Sequence, residues 1–336
     1  MTSENNSLPL NLQEVDKTTG EVVKLDVNST STVQPVALMR LGLFVPTLKS
    51  TSRSKANRKN VTDATEELVQ LSIAKSEGYT DVKITGSRLD MDTDFKVWLG
   101  IIRSMSEYGV KSDTLELSFV EFVKMCGFDS RRSNKKMRDR ISNSLFKLAS
   151  VTLKFQSETK GWTTHLVQSA YYDINEDIVE IKAEPKLFEL YHMDRRVLLR
   201  LKAIDALQRK ESAQALYTYI ESLPQNPAPI SMKRMRDRLN LTSNVYTQNH
   251  TVRKAMEQLR DIGYLDYTEF KRGRATYFSV HYRNPKLISG TVKVPRREEE
   301  ELAPEQNYDE VIKALKAAGI DPQKLAEALS AMKPEN

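Results

Sequence analysis

One cysteine, Cys126, and four histidines, His165, His192, His250 and His281, are the whole stock of thiol and imidazole in this chain. A lone cysteine makes no internal disulfide and no zinc knuckle, and no two histidines have the spacing with which one element grips a metal. No two of the twelve glycines are five residues apart, so the phosphate-cradling loop GxxxxGK[ST] is absent. Metal-dependent nicking needs a His-hydrophobe-His pair beside a nucleophilic tyrosine, and that pair is missing too. The chain is instead rich in cations placed for anion recognition. Between positions 131 and 147, Arg131, Arg132, Lys135, Lys136, Arg138, Arg140 and Lys147 face only Asp139. On a helix rising about 1.5 Å per residue, Arg131, Lys135 and Arg138 form a stripe roughly 10 Å long. Such a stripe suits the major groove of B-DNA, where Arg reads guanine edges and Lys holds phosphate. A second set, Thr247, Asn249, His250, Arg253 and Lys254, lies in and after a turn rich in amide and hydroxyl groups. A third, Lys271, Arg272 and Arg274, surrounds Gly273, which permits positive φ, and Lys160 similarly adjoins Gly161. The bland readings are a solvated basic helix face, a charged hairpin tip and, for His250, an exposed helix start.

The elements that must present these side chains follow from apolar spacing. Phe95, Trp98, Leu99, Ile102 and Met105 recur at helical intervals, and a short helix is expected at 119–125. A long helix from about 130 to 149 should turn Ile141, Leu145 and Leu148 inward. The alternating run 151–155 predicts a strand, 158–161 a turn, and about 163–171 a returning strand. The same order recurs at an offset of roughly 115 to 120 residues. Ala215, Leu216, Tyr219, Ile220 and Leu223 mark a helix ended by Pro224, Pro227 and Pro229. Ser231 caps a short helix to Leu239 with Met232, Met235 and Leu239 inward. A helix over about 247–262 buries Val252, Ala255, Met256 and Leu259, and strands at 264–270 and 275–282 flank the basic tip. Helix, helix, long helix, strand, basic turn, strand is the order of a winged helix-turn-helix, with each long helix in the recognition position. The expected fold class is α+β, with two tandem winged-helix domains.

At roughly 150 residues per domain, 336 residues predict about two domains. The expected divisions are a mostly flexible arm at 1–60, winged-helix domains at 61–194 and 195–282, and an acidic linker with a short helical tail at 283–336. The arm is polar and low in aromatics, so it buries too little to offset its ordering entropy. One apolar island within it, 36–46, reads as a strand or docking segment. Between the two copies, a strand is expected at 177–182 and a helical linker at about 195–208, with Leu198, Leu199, Leu201, Ile204 and Leu207 buried. The net charge is +6, from 51 basic and 45 acidic residues. Nine basic and ten acidic residues after position 282 leave +7 on the rest. No run of about 18 apolar residues predicts a membrane span. The N-terminus lacks the basic and apolar regions of a secretory signal, so a cytoplasmic location is expected.

Two stretches, 211–224 (ESAQALYTYIESLP) and 251–265 (TVRKAMEQLRDIGYL), resemble the RepA initiators of RepFIB-type plasmid replicons. Residues 33–42 (VQPVALMRLG), 62–68 (TDATEEL) and 165–173 (HLVQSAYYD) extend the resemblance over about 33–282. It implies a non-enzymatic, iteron-binding plasmid replication initiator with two winged-helix domains in pseudo-twofold relation and no cofactor. Such a protein binds double-stranded DNA at direct repeats in the origin, helps melt it, recruits host initiator, helicase and chaperones, and represses its own promoter. It exists as a homodimer in exchange with a monomer. The resemblance assigns the main sequence-specific contacts to Asn249, His250, Arg253 and Lys254 with the Arg272–Arg274 wing. It assigns further contacts to the region of Arg131 to Arg140, in a domain that also supplies the dimer surface. A winged-helix transcriptional regulator without origin function is the neighbouring reading, and a tyrosine-based relaxase or topoisomerase-type enzyme the catalytic one.

Overall fold

The computed structural model describes residues 11–15, 22–27, 30–47, 61–63, 79–108, 114–129, 134–173, 175–185, 187, 190–191 and 196–284. The expectations for Arg131, Arg132 and the tail beyond Asn284 lie outside these residues. In chain order, β1 (Asn11–Val15) pairs antiparallel with β2 (Val22–Asp26), and β3 (Ser31–Pro35), α1 (Val36–Arg40) and β4 (Phe44–Val45) follow. Next come β5 (Val61–Asp63), β6 (Asp81–Thr85), β7 (Leu89–Asp90), α2 (Asp94–Tyr108), β8 (Thr114–Ser118), α3 (Phe119–Met125) and α4 (Lys135–Ser150). Strands β9 (Thr152–Gln156), β10 (Gly161–His165), β11 (Val167–Asp173), β12 (Ile178–Ala183) and β13 (Arg196–Arg200) lead to α5 (Leu201–Ala206). The last block is α6 (Glu211–Glu221), β14 (Ile230–Ser231), α7 (Met232–Leu239), α8 (Val245–Asp261), β15 (Leu265–Arg272) and β16 (Ala275–Arg283).

The fold is mixed α/β, and one element order runs twice. Helices α2, α3 and α4 precede the β9–β10 hairpin, as α6, α7 and α8 precede β15–β16. Corresponding helices start 117, 113 and 110 residues apart, so two of the three offsets fall short of the expected 115 to 120. Local chemistry sets the boundaries. Ser118 and Glu121 form a capping box on α3, and Ser231 accepts the Arg234 N–H at the start of α7. The inward stripes expected on α4 and α8 are buried. Both blocks share one continuous apolar core.

Four expectations need correction. The long basic helix starts at Lys135, because Asn134 is extended and caps it by accepting the Met137 N–H. The returning strand at 163–171 is two strands in two sheets, β10 beside β9 and β11 beside β12. Leu166 and Val167 are both buried, and two consecutive inward residues break the period-2 alternation and send the chain from one sheet to the next. The linker at 195–208 is helical only in its second half; its first half is β13, paired antiparallel with β3, and Leu198 and Leu201 are only partly buried. The arm is not uniformly loose, since residues 31–46 are almost wholly buried, with α1 where a strand was one of two expectations. Their partners lie far along the chain: β3 on β13, β4 parallel to β7. No helix among the described residues is long and apolar enough to cross a membrane.

Candidate nucleic-acid interface

Asn244 opens α8 by accepting the Thr247 N–H at 2.9 Å, which satisfies one of the helix's orphan donors. With Val252, Ala255, Met256 and Leu259 buried, the stripe from Tyr246 through Asn249, His250 and Arg253 to Glu257 lies on the opposite side. Several of its polar groups are already engaged. Asn249 Oδ1 accepts from Arg236 Nη1 at 3.2 Å, and Gln248 Nε2 donates to the carbonyls of Leu241 and Ser243 at 3.1 and 2.6 Å. Arg253 is gripped by Glu269 of β15, with Nε 2.9 and 3.0 Å from the two carboxylate oxygens and Nη2 2.7 Å from Oε1. This fork-to-carboxylate pair fastens the helix to the hairpin. Thr247, His250 and Lys254 are exposed.

Beyond Glu269, β15 ends in the tip Lys271, Arg272, Gly273 and Arg274, all exposed. Gly273 takes φ +61°, the left-handed conformation that two-residue hairpin turns demand. The tip therefore carries three cations into solvent at the end of a hairpin tied to α8. Its aromatic pair, Phe270 stacked on Tyr277 at 5.9 Å, stiffens the ladder below it.

The first long helix differs. Of its cations, Arg138 pairs with Asp177 at 3.2 Å and lies over the Phe119 ring, and Arg140 pairs with Asp92 and with Thr93 Oγ1. Lys147 Nζ is 2.8 Å from Asp94 and 3.2 Å from Asp90. Those three are held by carboxylates within the fold, and Lys135 and Lys136 at its first turn remain exposed. Lys160 is exposed at the β9–β10 turn and lies over the ring of Tyr79 at 5.3 Å. Trp162 packs on Phe155, as a core residue does. Thus Thr247, Asn249, His250, Arg253 and Lys254 come together with Lys271, Arg272 and Arg274 on one helix-hairpin unit, while Lys135, Lys136, Arg138 and Lys160 belong to the other block.

Over 291 residues, 85% of this chain is 58% identical to 88% of the RepFIB replication protein A of Salmonella typhi. The chain belongs to the RepFIB replication protein A family. The RepFIB protein of Escherichia coli strain K12 matches to the same extent, and a Salmonella typhi replication protein RepA is 56% identical over 303 residues, covering 89% of this chain and 86% of its own. The family described as "Initiator Replication protein, WH1" matches residues 92–221. A crystal structure of domains 2 and 3 of RctB is a looser likeness, at 12% identity and a TM-score of 0.44 over 74% of this chain and 97% of that one. This RepFIB-family chain is thus a replication initiator.

Two features of this RepFIB-family chain were not legible from cation spacing. One is the set of remote acids, Asp92, Asp177 and Glu269, that take up Arg140, Arg138 and Arg253. The other is Val245 and Tyr246, exposed at the start of α8. Cys126 is buried, and burial pushes its thiol well above the ordinary range, so it is a packing residue rather than a nucleophile. Among the described residues no group of three or more His, Cys, Asp or Glu side chains is placed to hold a metal ion.

Proposed function

We propose that this replication initiator reads directly repeated origin DNA with two tandem winged-helix modules, α2–β10 and α6–β16. The observation that carries this is the unit built by α8 and the β15–β16 hairpin: a capped helix with an exposed first turn, bolted by Arg253–Glu269 to a hairpin tipped with three cations. In this reading α8 enters the major groove, Thr247, Asn249, His250 and Lys254 face base edges or phosphate, and Lys271, Arg272 and Arg274 hold the flanking backbone. The first module contributes Lys135, Lys136, Arg138 and Lys160, and in this reading Arg131 and Arg132 take the same role. Binding of this kind helps melt adjacent A·T-rich DNA, recruits host initiator, helicase and chaperones, and represses the protein's own promoter, with no catalytic step, in the cytoplasm. The edge strand β11, with Tyr171 and Tyr172 exposed, supports a homodimer in exchange with a monomer.

Footprinting on the repeats beside the gene tests the two-module arrangement. Two major-groove faces one turn apart, about 34–36 Å, protect about two turns of DNA. A footprint of one turn or less would refute it. Persistence of a plasmid carrying gene and repeats, where neither alone suffices, separates origin function from transcriptional regulation alone. Absence of nicked product from supercoiled origin DNA with Mg²⁺ separates it from a relaxase.

A further inference from the structure

Among the described residues, Tyr246 is the most exposed large hydrophobic side chain, at 84%, and Val245 beside it is 57% exposed. No hydrogen bond or ring contact ties Tyr246 to the rest of the described chain, so neither packing nor capping accounts for it. Tyr246 heads the stripe that continues through His250 and Arg253, and Val245 flanks it in the same first turn. That turn is the part of a recognition helix that meets base edges. Within it Gln248 is committed to the α7–α8 turn, and in the next turn Asn249 Oδ1 is held by Arg236 and Arg253 by Glu269, while Thr247 and His250 stay exposed. What leads into the groove is therefore an apolar lip, Val245 and Tyr246, with the polar Thr247 and His250 beside it. The major groove offers one apolar feature to match it, the 5-methyl group of thymine.

We propose that Val245 and Tyr246 pack on thymine 5-methyl groups and so determine where A·T pairs stand within each repeat. This rests on the reading of α8 as a groove-entering helix. Both side chains protrude from the first helical turn, where alanine is well tolerated, so truncating them leaves the fold intact.

The test starts from a duplex that the full chain selects from a random pool. Each thymidine is then replaced singly by deoxyuridine, which keeps pairing and hydrogen-bonding edges and removes only the methyl. Affinities at fixed salt are compared for wild type, Val245→Ala and Tyr246→Ala. One or two replacements are expected to weaken wild type about fourfold, the factor that burial of one methyl group gives. The same replacements should be neutral for the variant that lacks the contacting side chain. Replacements that are neutral for wild type, or that weaken all three proteins alike, overturn the proposal while the selected sequence preference leaves the DNA reading standing. A pool that yields no preferred sequence overturns both.

Discussion

Arg253 and Glu269 set the balance between structure and recognition at a single pair. A guanidinium held by two carboxylate oxygens is oriented but partly neutralised. Glu269→Gln keeps a hydrogen-bond acceptor and removes the opposing charge. It is expected to raise affinity for random DNA and to steepen the salt slope by about 0.9, the share of one more neutralised phosphate, in titrations across a range of salt concentrations. Asp94 is a second informative residue. Burial and the neighbouring Asp90 push its carboxyl up to about 6, against the pull of Lys147 and the Asp90 N–H. Its folded value lies above the ordinary carboxyl value of 3.8, so the folded state keeps a proton that the unfolded state has lost. Its contribution to stability is full below that ordinary value and declines as pH rises to about 6. Urea unfolding from pH 4 to 7 should show wild-type stability falling relative to that of Asp94→Asn over that window.

At the scale of elements, helices were legible because their signal is local. The buried stripes of α4 and α8 and the Ser231 cap all follow from residues within one or two turns of each other. The split of the returning strand into β10 and β11 was not, because Leu166 and Val167 change the sheet to which the chain belongs, and that depends on β12, a separate strand. Helices α2 and α3 show what a close approach demands. A Cβ added at Gly100 would run into Cys126 Sγ and lie 3.0 Å from the backbone N and Cα of Cys126, which follows α3. Gly100→Ala is expected to cost about 1–3 kcal/mol, read from a lower urea midpoint with secondary structure retained by circular dichroism. For the wing, neutralising Arg272 and Arg274 together should lower the salt slope of DNA binding by about 0.9 for each phosphate that the tip neutralises. An unchanged slope would mean that the tip points to solvent in the complex.

Across the whole molecule, residues 31–46 bind the two blocks together. Gln34, fully buried, accepts from Trp98 Nε1 of α2 at 2.9 Å and from the Tyr191 hydroxyl at 3.2 Å, while β3 pairs with β13. Three arginines complete the junction. Arg238 of α7, 4% exposed, donates to the carbonyls of Met39 and Phe44 at 3.1 and 3.0 Å. Arg40 donates to the Ser222 carbonyl at the end of α6, where a cation also complements the helix dipole. Arg88 reaches both Pro46 and the end of α7, at Leu239 and Asn240. Arg238→Ala orphans two carbonyls, each worth roughly 1–3 kcal/mol when buried without a partner. It is expected to lower the unfolding midpoint and to speed tryptic cleavage at Arg40; unchanged cleavage would show that the segment is held without it.

Composition, helical periodicity and turn chemistry by themselves determined the repeated element order, the two long helices and the basic hairpin tip, because each reports backbone geometry within a few residues. Only the tertiary structure decided which cations are free. Asp177, Asp92, Asp90, Asp94 and Glu269 reach Arg138, Arg140, Lys147 and Arg253 from 16 to 57 positions away. Tertiary structure also decided that part of the arm is core, since β3 meets β13 across more than 150 residues of chain. Periodicity carries no information about such partners, because they are chosen by charge pairing and strand register between segments that meet only when the chain folds.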